Sequence, residues 1–190
     1  MKYLLTLALV LIILLSPIFL LLAFEQPLFS IFYDAFNIRN ILNLQKDRYL
    51  DKVKSIIRYF FDSNTYISLE GLSHIEIVHM YDVKNLIKAS LFLLIFSAIL
   101  LIVGRKYLTL PIIKSASITV LILTGFLFIG SLVNFDNTFY YFHKILFRNN
   151  YWLLDSNALL IKLFPENVFF VLAIIWFSLS FFASILLILL

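Results

Sequence analysis

An all-α membrane protein with four transmembrane helices and a small extracytoplasmic cap is the fold class that this sequence predicts, and three observations predict it. Of its 190 residues, 63% are hydrophobic and only 14% charged, whereas charged residues alone make up about 25% of a soluble domain. Four apolar runs are each long enough to cross a hydrocarbon core of about 30 Å at 1.5 Å per residue. Between them lie two polar stretches that carry all eleven acids, residues 25–84 and 134–167. The net charge of +4 forms no basic patch, so nucleic acid is not an expected partner. With no cysteine, disulfides, thiolate nucleophiles and cysteine metal sites are excluded.

The first span occupies residues 1–24. Its apolar run is longer than the roughly 7 to 15 residues of a secretory signal, and Leu22-Ala23-Phe24 lacks a small-x-small cleavage site. It therefore reads as retained, with Pro17 bending it. Residues 25–84 read as the cap. Within them Leu50, Val53, Ile57, Phe60 and Phe61 form the apolar stripe of an amphipathic helix, with Lys52, Lys54 and Arg58 opposite. Asp62-Ser63-Asn64 closes that helix, and residues 65–69 suit a short β-strand before a turn at Gly71.

Residues 85–133 hold the second and third spans, joined by a short turn at Gly104-Arg105-Lys106 and Pro111. Lys88 is placed to snorkel to the interface. Residues 134–167 form a re-entrant or interfacial loop, since Tyr140, Tyr141, Phe142, Phe147, Tyr151 and Trp152 give it an aromatic belt at headgroup level. Pro165, with Glu166 and Asn167 behind it, opens the fourth span, 168–190. That run stops at Leu190 without a polar flank, the pattern of a truncated chain unless the terminal carboxylate is itself the flank.

Charge sets the expected orientation. Lys2, Arg105, Lys106 and Lys114 lie on one side with no acid among them, while the other eleven basic residues balance the eleven acids on the opposite side. The positive-inside rule then puts both termini in the cytoplasm and both polar stretches outside.

Candidate chemistry rests on histidine. His74 and His79 are about 140° apart on a helix and are poor co-ligands. His79 and Asp82, at i and i+3, share a face of a helix, so the carboxylate could fix the imidazole tautomer. A hydrogen bond from backbone would equally account for His79. His143 sits among aromatics, with Asn149, Asn150 and Asn157 marking turns and Asp155 placed to cap the turn that follows it. There is no G-x-S-x-G elbow, H-E-x-x-H or H-x-x-E-H motif, nor any Gly-rich phosphate loop among only four glycines. No cofactor is expected. A metal held by His79, His143 and Asp82 stays open, because ligands from separate segments have no sequence signature.

Two segments carry a resemblance. Glu76-Ile77-Val78-His79-Met80-Tyr81-Asp82-Val83-Lys84 has the pattern E-x-x-H-M-x-D-V-K, and Phe142 to Asp155 has F-H-x-x-x-F-x-N-x-x-W-x-L-D. These resemble the two signature segments of the bacterial lipoprotein intramolecular transacylase family, and Leu163-Phe164-Pro165 resembles the family's entry to its last span. The likeness covers most of the chain and is weakest in residues 26–69; the sequence departs at Ser156 and Ala158, where the family often has proline and a further acid.

The resemblance implies a bacterial cell-membrane acyltransferase with its site on the extracytoplasmic side. It would move the sn-2 acyl chain of a diacylglyceryl-cysteine lipoprotein to that cysteine's α-amine, leaving a lyso-form lipoprotein. His79 and His143 are then the catalytic pair, and Asp82, Asn149, Trp152 and Asp155 candidates for orienting groups or substrate. Expected partners are the lipoprotein and membrane lipids. The chemistry suits histidine: substrate supplies both nucleophile and ester, and a group of ordinary pKa about 6.5 can exchange protons with an amine of about 7.7 to 8.0. A non-enzymatic lipoprotein-binding or assembly protein, and a metal-dependent membrane hydrolase, are the competing readings.

Overall fold

A computed structural model of the chain describes residues 1–189, whose regular structure is all helical, without a β-strand among them. The helices are α1 (Lys2–Ala23), α2 (Glu25–Ala35), α3 (Ile38–Leu42), α4 (Lys46–Phe61), α5 (His74–Val103), α6 (Leu110–Val133), α7 (Phe135–Leu146), α8 (Leu159–Leu163) and α9 (Glu166–Ile188), with a 3-10 turn at Arg105–Tyr107. Four of them, α1, α5, α6 and α9, are long and apolar enough to cross a membrane. The chain divides into two compact units. One gathers Met1–Leu20, Ala89–Thr138 and the chain from Leu172 on; the other gathers Leu21–Lys88 and Phe139–Val171.

In the first unit, Leu9, Val10 and Ile13 of α1 bury themselves against Ala116 and Val120 of α6, with Leu14, Leu101, Ile113, Ala183 and Leu187 around them. Small residues at the contact let helix backbones approach, which is how helices associate where lipid removes most of the hydrophobic driving force. Pro17 lies inside α1 and brings no N–H to the carbonyl of Ile13, four residues earlier. The Ser180 hydroxyl of α9 donates to that carbonyl at 3.4 Å, and the Trp176 indole N–H donates to the neighbouring carbonyl of Leu14 at 2.7 Å. At the turn, a Cβ added to Gly104 would meet Leu5 Cδ2 at 2.6 Å and the Leu100 carbonyl oxygen at 2.9 Å, so a side chain there would force the backbone to shift. Outward faces stay apolar, for example Phe92, Phe96, Ile99 and Ile102 of α5 and Ile118, Ile122, Phe126 and Ile129 of α6. Such continuous exposed apolar surface suits lipid as the solvent.

The second unit is built on α4. Its buried residues are Tyr49, Val53, Ile56, Tyr59 and Phe60, so the inward face is turned from the expected stripe: Leu50 and Ile57 are half-buried and Phe61 is exposed. The two tyrosines explain the rotation. Each buries its ring and delivers its hydroxyl to a backbone carbonyl, Tyr49 to Leu163 at 3.3 Å and Tyr59 to Thr65 at 2.8 Å. Tyr49 also meets Tyr33 of α2, whose neighbour Phe29 packs edge-on against Phe164.

The strand expected at residues 65–69 is irregular chain. An extended segment with no partner strand cannot satisfy its backbone by a ladder. Side chains serve it instead: Tyr59 takes the Thr65 carbonyl, and Lys84 donates to the carbonyl of Asn64 at 2.6 Å. Lys84 is only 3% exposed, pairs with Asp62 at 2.6 Å and lies 4.1 Å from the centre of the Tyr59 ring. Its ammonium holds the Asp62 carboxyl below the usual carboxylate range. Lys88, expected to snorkel, donates to the Asp62 carbonyl at 3.2 Å.

Candidate active site

Two helical segments of the second unit meet at the histidines. α5 starts at His74 and runs unbroken past Lys84, so Glu76, His79 and Asp82, spaced by three, fall along one side of a helix. Ser73 and Glu76 start it with a capping box: Glu76 Oε2 accepts the Ser73 N–H at 2.8 Å and Ser73 Oγ accepts the Glu76 N–H at 3.4 Å. α7 is amphipathic in the reverse of the usual sense, its aromatic and aliphatic side chains Tyr141, Phe142 and Ile145 exposed and His143 buried.

His143 is held tightly. Its Nδ1 lies 2.8 Å from the carbonyl of Phe139 one turn earlier. A carbonyl only accepts, so Nδ1 carries the proton, and in the neutral ring the lone pair is on Nε2. The ring stacks on Trp152 (centroids 5.2 Å apart, planes at 26°) and on Phe147 (5.6 Å, 29°), with Phe139 at 4.2 Å. Burial among these rings lowers the His143 pKa, against a smaller opposing effect of the Phe139 carbonyl. The imidazole is therefore neutral at pH 7.

His79 faces it, ring centroids 6.2 Å apart, and meets Phe147 edge-on at 5.3 Å. Its Nδ1 is buried without a hydrogen-bond partner among the described residues. Asp82, expected to orient it, binds elsewhere: its Oδ2 accepts from the Asn149 amide nitrogen at 2.8 Å, and Asn149 Oδ1 accepts the Tyr151 N–H at 3.0 Å. Asp82 thus anchors the irregular segment 147–158 to α5 rather than fixing the tautomer of His79.

Of the six residues singled out from the sequence, the structure brings together His79, His143 and Trp152, and links Asp82 with Asn149. Asp155 is exposed, and its carboxylate accepts the N–H of Asn157 at 2.8 Å, a local turn. It does not cap α8 with its side chain. That role belongs to Glu76, whose Oε1 accepts the Leu160 N–H at 2.8 Å; the sequence signal, Ser73-x-x-Glu76, identifies a helix start but not the second helix it serves. Among the described residues no three His, Asp or Glu side chains gather as a metal site would require. His74, the first residue of α5, is exposed.

Comparisons with known proteins bear on the family and the fold. A family model described as "Lipoprotein intramolecular transacylase Lit" matches residues 3–170. Comparison with curated protein sequences gives no match. Among solved structures, the membrane integral lipoprotein intramolecular transacylase Lit from Bacillus cereus is similar with a TM-score of 0.85 and 25% identity, over 98% of this chain and 92% of that one. A structure of the same protein with a histidine-to-arginine mutation gives 0.77 and 25%, over 98% and 88%. A histidine-to-alanine form, at 0.73 and 22% identity over the same shares, supports the fold.

Proposed function

The chain belongs to the lipoprotein intramolecular transacylase family, and from that premise we propose that it moves the sn-2 acyl chain of a diacylglyceryl-cysteine lipoprotein to the α-amine of the same cysteine, with His79 and His143 as the catalytic pair. Membership makes it a multi-pass membrane protein of an acyltransferase family. The observation that carries the finer reading is the facing pair of imidazoles, 6.2 Å apart in a wall of Phe139, Phe147 and Trp152.

The chemistry balances without a protein nucleophile. The amine nitrogen attacks the sn-2 ester carbon, an N–C bond forms, the C–O bond to glycerol breaks, and the proton lost by nitrogen ends on the glycerol oxygen. A substrate holding both reactants in one bound pose gains the rate advantage of an intramolecular reaction. Neutral His143, with Nδ1–H tied to Phe139, has Nε2 left to take the amine proton. His143 then returns that proton to the leaving glycerol oxygen, while the second imidazole, His79, is suited to offer an N–H hydrogen bond to the developing oxyanion. Ser73, a possible acyl acceptor by residue type, is engaged as the cap of α5.

The direct test is purified protein with a diacylglyceryl-cysteine lipopeptide, followed by mass spectrometry before and after mild alkali. An amide-linked chain survives alkali where an ester does not. Free fatty acid as the product would point to a hydrolase instead.

Because burial holds His143 below the ordinary histidine value of about 6.5, its basic form is already complete at neutral pH. Transfer should therefore fall only as pH drops through the lowered pKa, below the ordinary histidine value, with kcat/KM flat towards neutrality on the histidine side. A profile still rising steeply between pH 6.5 and 7.5 through a group assigned to His143 would contradict its role as base.

The positive-inside count supports both termini in the cytoplasm and the histidines outside. The native chain has no cysteine, so single cysteines report cleanly. A cysteine beside Arg105 should react from the cytoplasm and one at Arg148 from the exterior; the reverse pattern would invert the assignment.

A further inference from the structure

Glu76 is 2% exposed, and a carboxylate so buried needs donors for both oxygens. It has them from two parts of the chain. Oε2 accepts the Ser73 N–H within its own helix, and Oε1 accepts the Leu160 N–H, each at 2.8 Å. α8 has no side-chain cap of its own at Ala158, so Glu76 supplies the acceptor that α8 lacks. The other end of α8 is held by Tyr49, whose hydroxyl reaches the Leu163 carbonyl. Gly71, at φ +94°, keeps its turn close beneath: an added Cβ would lie 3.1 Å from Leu159 Cδ2.

This placement has a consequence for the histidines. Glu76 and Asp82 lie three residues before and three after His79, and both grip the segment that follows α7: Asp82 at Asn149, Glu76 at Leu160. Between those anchors lies Trp152, against which His143 stacks. We propose that Glu76 is a positioning residue of the acyl-transfer site, its buried carboxylate locking the segment that bears Trp152 onto the helix that bears His79; this rests on the transacylase reading above. Its two oxygens bond to the Ser73 and Leu160 N–H groups and to neither imidazole. It acts by fixing where the wall of His143 stands relative to His79, and a displacement of about 1 Å in a site of this kind can cost about 100-fold in rate.

Glutamine and aspartate separate this from general stability. Glu76→Gln keeps size but turns one oxygen into a donor aimed at an N–H, whereas Glu76→Asp keeps charge but is one methylene too short to reach both donors. Full-length protein in detergent is compared by three measurements: amide exchange of peptides covering residues 158–164, the rate at which diethyl pyrocarbonate modifies His143 relative to exposed His74, and transfer kinetics. In a folded Glu76→Gln protein, exchange should quicken, His143 modification should rise about tenfold relative to His74, and kcat should fall about tenfold or more with the lipopeptide KM within about twofold. Glu76→Asp should behave alike. Exchange and His143 modification unchanged from wild type would overturn the assignment, as would failure of both variants to fold, which would make Glu76 a residue of stability alone. If wild-type protein transfers no acyl chain, the transacylase reading fails, while the exchange and modification rates still decide whether Glu76 fixes the His143 wall.

Discussion

His143→Ala should lower kcat for acyl transfer by about 100-fold to 10,000-fold, the span expected when a positioned general acid or base is removed. The substrate KM should change little, because the imidazole acts on a proton in flight rather than holding the lipid chains. His79→Ala should fall in the same range, and the double variant should lose little more than either single one, since two groups serving one acyl transfer act as a unit. His74→Ala is the built-in control: His74 is exposed at the first position of α5 and should leave the rate within about twofold. Kinetics on the folded variants decide it. A His143→Ala protein retaining more than about a tenth of wild-type kcat would remove the histidine pair from the chemistry.

A lipopeptide whose α-amine is already acetylated should give no transfer at all. In direct attack the amine nitrogen is the nucleophile, and an amide nitrogen has no free lone pair for the ester carbon. With that substrate the sn-2 chain should stay in place and the protein mass should not change. An acyl-enzyme route predicts otherwise, because the first half-reaction needs only the ester and a side chain such as Ser73 or Ser156. Intact-mass spectrometry of protein incubated with the blocked substrate separates the two routes. A covalent acyl adduct on this chain would sink direct attack.

The four crossing helices were legible because a stretch of about twenty apolar residues has few alternatives. His79 and His143 were singled out because two short segments carry the pattern of a known family, and such a pattern can be read without coordinates. What the sequence hid lies mainly with residues that are polar by type and buried in fact. Tyr49 and Tyr59 were missed in the stripe of α4 because an apolar count leaves out a side chain that buries a ring while its hydroxyl finds a carbonyl. The short strand at residues 65–69 was a local reading that no partner strand supports. Asp82 and Glu76 were legible as helix residues of α5, but their partners, Asn149 and Leu160, lie far along the chain. No local spacing encodes such a pairing. Asp155 was misplaced for the converse reason: Asx-type residues satisfy themselves two residues on as readily as they cap a helix.

The proline in α1 has a bearing on how the protein is made. A ribosome delivers α1 well before α9, yet the carbonyls of Ile13 and Leu14 take their side-chain donors from Ser180 and Trp176. Until translation reaches α9, Pro17, which has no N–H, leaves the Ile13 carbonyl a bare acceptor in hydrocarbon, where an unsatisfied backbone group costs several kcal/mol. Newborn α1 is thus an unfinished product that α9 completes. Replacing Pro17 with leucine restores the missing N–H, so the penalty of a Ser180→Ala, Trp176→Phe double variant on membrane-inserted yield should shrink in that background; an equal penalty in both would mean the early helix finds another donor while it waits.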